Sequence, residues 1–271
     1  MTANQMTAVL RGGGDLATGV AQKLWRAGFT LVILELPYPT TVRRSVALSS
    51  AMTEGVALVE DLTARRISDP SECLALWGKG EIPVLADPLC DTLSYLRPIF
   101  LVDATVAKRN LGTSRDMAPV TVALGPGFTA PTDVDVVVET MRGHDLGRLI
   151  TEGEALPNTG APGEIGGKTT ERVVFAPQDG VITHRHKIGD LVSQGETIFF
   201  IDDTPIPSPI DGTLRGLIAK MAQVSKGLKC ADVDPRPGAR ANCFSISDKA
   251  RCLGGSVLEA CLYLGRQKGI L

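Results

Sequence analysis

Gly12, Gly14 and Ala17 stand at the spacing G-x-G-x-x-[GA] directly after the apolar run Thr7-Ala8-Val9-Leu10 and Arg11. Glycine at the first two positions permits a tight turn and close approach of backbone to a ligand. A small third residue lets a following helix lie close to the strand. With Gly13 between them, such a turn aims the free N–H groups of a helix start at phosphate. Glu35, at the end of Leu31-Val32-Ile33-Leu34, lies at the distance downstream where an acid meets ribose hydroxyls. Asp15 opposes this chemistry, because its carboxylate stands where a pyrophosphate would arrive. It reads either as a helix cap or as the mark of a different phosphate-bearing ligand.

Positioning these residues requires a strand, a turn and a helix, and the downstream pattern supplies more of the same. Apolar strand candidates recur at Leu31–Leu36, Ile82–Ala86, Ile99–Asp103, Val120–Leu124 and Val134–Val138, several of them continuous β-branched runs suited to parallel strands buried on both faces. Helical patterns at Ala17–Ala27 and Ser71–Trp77 lie between them. The alternation predicts an α/β fold with a Rossmann-like doubly wound sheet.

Ligands in such sheets bind beyond the carboxyl ends of the strands. Those ends carry Glu35, Asp87, Asp103 with Thr105, and Gly125-Pro126-Gly127, followed by Lys108, Arg109 and Asn110 as sources of positive charge and hydrogen bonds. A cap or turn role competes for each aspartate. Arg43 and Arg44 follow the ribose-binding position and suit bidentate reading of a phosphate or carboxylate. The Gly- and Pro-rich stretch from 142 to 172 reads as a linker or functional loop, in which His144 beside Asp145 offers acid–base chemistry against a structural or surface role.

Beyond it the chain repeats itself. Ala176-Pro177-Gln178-Asp179-Gly180 recurs as Ser208-Pro209-Ile210-Asp211-Gly212, and Val192-Ser193-Gln194-Gly195 as Val224-Ser225-Lys226-Gly227, an offset of 32 residues. Two such halves predict one small β unit with approximate two-fold symmetry. It resembles the barrel-sandwich of biotinyl and lipoyl carrier domains, but the connection Phe199–Pro207 between the halves has no lysine to carry a group. His184 and His186 share a strand face and could share a metal, but no third ligand is evident and an exposed polar strand face is the better reading. Val257–Leu264 reads as a terminal helix with Ser256 as its cap, after the pair Gly254-Gly255.

Composition bounds the rest. With 28 basic and 30 acidic residues and a net charge of −2, neither nucleic acid nor an anionic membrane is an expected partner. No apolar run is long enough to span a bilayer, and Met1–Gln5 is no signal peptide, so a cytoplasmic location is expected. The six cysteines lack C-x-x-C spacing, against a disulfide framework or structural zinc. Cys230, Cys243, Cys252 and Cys261 crowd the last quarter, which leaves open a soft-metal or sulfur-handling surface beside the plain reading as buried small hydrophobes. The expected domains are 1–141, Rossmann-like; 142–172, a linker; 173–232, the barrel-sandwich; and 233–271, a C-terminal segment with the helix.

Taken in order, Gly12–Gly19, Val102-Asp103-Ala104, Leu124–Phe128, Glu139–His144, Asn158–Gly163, Asp234-Pro235-Arg236 and Ile246–Ala250 resemble the YqeB family, accessory proteins of selenium-dependent molybdenum hydroxylase systems. Cys230 stands where that pattern expects an aliphatic residue. The resemblance implies a maturation or assembly role for a molybdenum-dependent hydroxylase of the xanthine dehydrogenase type. The expected site is Gly12, Gly13, Gly14, Asp15, Glu35, Asp103, Gly125 and Gly127. It would hold a nucleotide or cofactor, with NAD(P) and the molybdopterin cofactor both open. An NAD(P)-dependent oxidoreductase and a scaffold that docks a partner through the barrel-sandwich remain alternatives, and a homo-oligomer stays open.

Overall fold

The computed structural model describes residues 6–160 and 162–271. Met1–Gln5 and Ala161, which figure in the leader and Asn158–Gly163 readings, lie outside the described residues. The chain forms two compact units. The first comprises Met1–Pro37, Ala47–Thr159 and Ile246–Leu271; the second comprises Tyr38–Val46 and Gly160–Ser245. The last 26 residues thus join the first unit instead of a separate C-terminal segment, and a nine-residue excursion after the second strand joins the second.

In the first unit, β1 (Thr7–Arg11), β2 (Thr30–Glu35), β3 (Val56–Val59), β4 (Leu62–Ile67), β5 (Ile82–Ala86), β6 (Phe100–Asp103), β7 (Val120–Leu124), β9 (Val136–Val138) and β10 (Leu149–Ile150) build one mixed sheet. Their order is β10-β9-β7-β6-β1-β2-β5-β4-β3, parallel except at its two edge pairs. A separate two-stranded pair joins β8 (Thr129–Ala130) to β11 (Gly153–Glu154). The central strands are apolar on both faces, as strands covered from both sides must be. The β3–β4 hairpin has no continuous apolar run to mark it, since β3 exposes Leu58 and β4 carries Arg65 and Arg66.

Helix α1 (Asp15–Arg26) buries Ala17, Val20, Ala21 and Leu24, one stripe at helical spacing. The short helices α2 (Ala51–Glu54), α3 (Cys73–Trp77) and α4 (Leu93–Leu96) follow β2, β4 and β5. The terminal helix α5 runs from Asp248 to Gln267, well before the expected start at Val257, and Ser247 caps it by accepting the Ala250 N–H at 3.2 Å. Gly254 and Gly255 lie inside the helix. A Cβ at Gly254 would collide with the carbonyl of Gly19, and one at Gly19 with the backbone of Ala250, so these glycines let α1 and α5 cross in contact. Ser256, expected as the cap, donates to Cys252 O within the helix.

The second unit holds β12 (Val173–Phe175), β13 (Gly180–His184), β14 (Leu191–Val192), β15 (Thr197–Ile201), β16 (Thr204–Pro207), β17 (Gly212–Leu217), β18 (Gln223–Val224) and β19 (Lys229–Asp234). They form two antiparallel four-stranded sheets, β12-β19-β17-β14 and β16-β15-β13-β18. Advancing each strand by the repeat converts one order into the other. The repeat also reproduces hydrogen bonds: Asp211 accepts the N–H of Gln194, and Asp179 that of Lys226, both at 2.7 Å. Ile182, Ile198, Phe199, Leu214, Leu217 and Val233 form its dry core, each buried aliphatic or aromatic side chain contributing about 1.5–3 kcal/mol.

Candidate functional site

From β1 in the middle of the first sheet the chain adds β2, makes the β3–β4 hairpin at the edge, fills β5 between β2 and β4, then returns to lay β6, β7 and β9 on the other side of β1. The carboxyl ends of β7, β6, β1 and β2 therefore meet where the strand order reverses, the place where open α/β sheets bind ligands. Gly12, Gly13, Gly14, Glu35, Asp103, Gly125 and Gly127 all stand at these ends, with Asp15 opening α1.

Gly12 has φ +92°, and a Cβ there would lie 3.1 Å from the backbone of Thr105, so only glycine lets β1 turn this close to the end of β6. Gly13 is pinned from both sides: its carbonyl accepts the Ser49 N–H at 2.8 Å and its own N–H donates to Glu35 Oε2 at 2.7 Å. Gly14 is the N-cap of α1 with no side-chain cap, which leaves Asp15 in the first turn and not at the capping position. The N–H groups of that turn lack intrahelical partners.

Glu35 is folded onto the turn. Its second oxygen accepts the Leu36 N–H at 2.7 Å. Burial raises its pKa above the ordinary carboxylate value against the lowering effect of these two backbone bonds.

Asp103 is fully buried, and both its oxygens are occupied. Oδ1 accepts the Thr105 N–H and hydroxyl at 3.1 and 2.6 Å, and Oδ2 accepts Thr113 Oγ1 at 2.6 Å with the Arg11 guanidinium at 3.5 Å. Arg11 in turn donates to Thr113 Oγ1, Pro88 O and Leu111 O. Asp103 thus fastens the loop after β6 and offers no free oxygen to a ligand. Within that loop Val106 has φ +51° and Lys108 φ +65°. A β-branched residue in the left-handed region is strained by about 1–3 kcal/mol and is held there by its surroundings. Gly127, φ +106°, takes part, since a Cβ there would lie 2.5 Å from Arg109 Cα. Gly125 similarly admits Thr140, whose hydroxyl would lie 2.6 Å from an added Cβ. Asn110 ties the loop's far end through Gly112, Thr113 and the Thr113 carbonyl.

One residue absent from the expected site joins it. Lys249 lies in the first turn of α5 and is partly buried. Burial, then the charge of Arg142, lowers its pKa, while Asp15, Glu139 and Asp248 act to raise it. A single ammonium therefore senses the start of α1, the end of β9 and the start of α5. Glu139 is buried and accepts the N–H groups of Met141 and Leu156 at 2.6 and 2.8 Å, and Arg142 grips Asp248 with both terminal nitrogens. Residues over a hundred positions apart meet here, which no local pattern signals.

Other sequence candidates fall elsewhere. Asp87 caps the turn before α4, accepting the N–H groups of Asp91 and Thr92 and the Thr92 hydroxyl. Arg43 and Arg44 belong to the second unit, where they donate to Asn242 O at 3.0 Å and Leu217 O at 2.7 Å. His144 is exposed, and its neighbour Asp145 pairs with Arg148 at 3.4 Å. His184 and His186 do not converge: His184 Nε2 meets Ile218 O at 2.8 Å, whereas His186 lies between Asp190 and Glu196. No group of three or more His, Cys, Asp or Glu among the described residues is arranged to hold a metal. All six cysteines are free, and only Cys252 is exposed. Burial pushes the Cys73, Cys90 and Cys230 thiols up to about 11 and Cys261 to about 12. Cys230 is a packed core residue of β19. No helix among the described residues is long and apolar enough to cross a membrane.

No family model matches the chain. Among solved structures, the product-bound ectoine utilization protein EutE (DoeB) from Ruegeria pomeroyi is similar at 11% identity and TM-score 0.26, over 86% of each chain. A succinylglutamate desuccinylase/aspartoacylase from Rhodobacter sphaeroides is similar at 14% identity and TM-score 0.27, over 87% of each. Likenesses of that size carry no argument about this chain. In sequence, the chain is 48% identical over 259 residues to the uncharacterized protein YqeB of Escherichia coli K12, which is 96% of this chain and 48% of that protein. The chain thus spans about half the length of the curated relative it matches, and the similarity supports the YqeB family.

Proposed function

We propose that the chain is a YqeB-family accessory factor for a molybdenum-dependent hydroxylase of the xanthine dehydrogenase type, in a selenium-dependent system, and that it binds a phosphate-bearing nucleotide or molybdopterin-type cofactor. In this reading the first unit is Rossmann-like and the second a lysine-free barrel-sandwich. The strand order on either side of β1, without its antiparallel edges, supports the former label. The exchange of strand order between the two four-stranded sheets supports the latter.

The observation that supports the binding site is the electrostatic coupling of Lys249, in the first turn of α5, to Asp15 at the start of α1. Asp15 alone would repel a phosphate at the start of α1; Lys249, coupled to Asp15 and Glu139, supplies the opposite charge at the same rim. The close backbone approach at Gly12 and Gly13 suits a phosphate better than a bulky group. The ligand's own chemistry, if a molybdopterin, is the transfer or sulfur chemistry of the cofactor. The chain's residues bind and orient it. Glu35 has a further acceptor position on each oxygen, which suits a ribose hydroxyl.

Titration of the full chain with molybdopterin cofactor, its nucleotide forms, NAD(P) and ATP tests the reading. Saturable binding of a pterin form that weakens in Lys249→Gln is expected. Binding of none of them by a folded chain would sink it. Tight NAD(P) binding in preference to the pterins would favour the oxidoreductase alternative.

A further inference from the structure

The second unit carries a surplus of positive charge that its fold does not require. Along β17 the ladder with β19 slips: Leu214 faces Val233, the next paired residue, Gly216, faces Asp232, and Arg215 is left as an extra residue between them. A bulge of this kind re-aims one side chain. The Arg215 guanidinium, 13% exposed, comes within 3.6 Å of Asp232 Oδ2. The same carboxylate, 3% exposed, takes Arg172 at 2.5 Å on Oδ1 and Lys229 at 3.4 Å on Oδ2. Three cations therefore share one carboxylate. The neighbouring Asp234 also acts on Arg215, but Arg236 occupies both of its oxygens, at 3.0 and 2.7 Å.

The internal repeat acts as a control. At the same offset of 32 residues, the other half of the unit has Thr183 for Arg215, Thr197 for Lys229 and Phe200 for Asp232, and its ladder pairs Thr183 with Phe200 without a bulge. The same strands thus form with no charge at these positions. Arg215 and Lys229 thus have uncharged counterparts in the other half, and Arg172 has Thr204 as its counterpart.

We propose that Arg215, Arg172 and Lys229 form an oxyanion-binding site beside Asp232, which takes a phosphate group or another small tetrahedral oxyanion. Guanidinium forks match such oxygens in pairs. Arg172 is 4% exposed; its NH1 holds Asp232 and its NH2 holds Gly163 O at 2.7 Å, but its Nε is buried without a hydrogen-bond partner. A buried donor left unmade is costly, and an anion's oxygen satisfies it. Burial, then the charge of Arg43, also presses the Arg215 pKa below its ordinary value, against the raising effect of Asp232 and Asp234. All three cations belong to the second unit.

Calorimetric titration of the full chain with inorganic phosphate, and separately with adenosine monophosphate, at matched ionic strength in chloride, tests it. Saturable phosphate binding is expected, weakened about tenfold or more in Arg215→Gln, the scale of one charged hydrogen-bonding partner. Phosphate tighter than the nucleotide identifies a free-ion site; the nucleotide tighter identifies a phosphomonoester group. The Lys249→Gln chain separates the two units, since a phosphate isotherm retained there and lost in Arg215→Gln belongs to the second. If Arg215→Gln fails to fold by circular dichroism, Lys229→Gln at the cluster's more exposed edge takes its place. Absence of saturable binding of either probe overturns the proposal. So does affinity unchanged in the folded Arg215 or Lys229 variant, or binding lost only in Lys249→Gln.

Discussion

The carboxylate of Glu35 closes on the N–H of Gly13 at 2.7 Å, so the acid at the end of β2 holds the glycine turn in place. Replacing it with alanine leaves that N–H and the N–H of Leu36 without their acceptor, at a cost of about 1–3 kcal/mol. The pH dependence has a definite sign. Burial raises the folded-state pKa above 4.5, so the folded chain binds this proton more tightly than the unfolded chain. The stability contributed by Glu35 is fully present below the unfolded value and is lost as pH rises through the folded one. Denaturant unfolding of wild type and Glu35→Ala at several pH values from 4 to 7 should show their difference shrinking as pH rises.

Lys249→Gln removes the ammonium that faces Asp15 and Glu139 while leaving α5 capped by Ser247. The expected outcome is affinity for phosphate-bearing ligands lower by about tenfold, with little change in melting temperature. A retained affinity, measured by equilibrium dialysis, would remove Lys249 from the site.

Gly254→Ala adds a methyl group into the carbonyl of Gly19. Helix propensity alone would make alanine better by about 1 kcal/mol, but overpacking a contact of this closeness costs about 1–3 kcal/mol or more. A net loss is expected, read as a lower melting temperature. Gly255→Ala is the matched control, because nothing lies within 4 Å of a Cβ there, and it should gain stability.

Asp179 and Asp211 accept repeat-related backbone N–H groups at the same 2.7 Å. Each alanine substitution should cost about 0.5–1.5 kcal/mol, and the two costs should agree. Unequal values from chemical denaturation would mean that the halves share a fold but not an energetic role.

Much of this architecture can be read along the chain, because β2, β5, β6 and β7 are continuous apolar runs and the glycine spacing marks the turn after β1. The repeat at 176–227 likewise announces paired sheets. What escapes is decided between distant residues. Gly254 looks like punctuation in one dimension; against Gly19 it is the point where α5 crosses α1 in contact. Asp103 looks like a ligand-binding acid until Arg11 and Thr113 arrive from elsewhere to occupy it. Lys249 carries no local signal at all, since its neighbours Asp15 and Glu139 come from other elements.

The late return of the chain to its first unit also sets an order of events. During synthesis β1 and α1 emerge before the second unit, yet α5, which packs on α1, and Lys249 with it, emerge only after that unit. Until then α1 keeps an apolar flank open to water and the rim lacks its ammonium. A chain cut before 246 therefore lacks both the α1–α5 contact and Lys249.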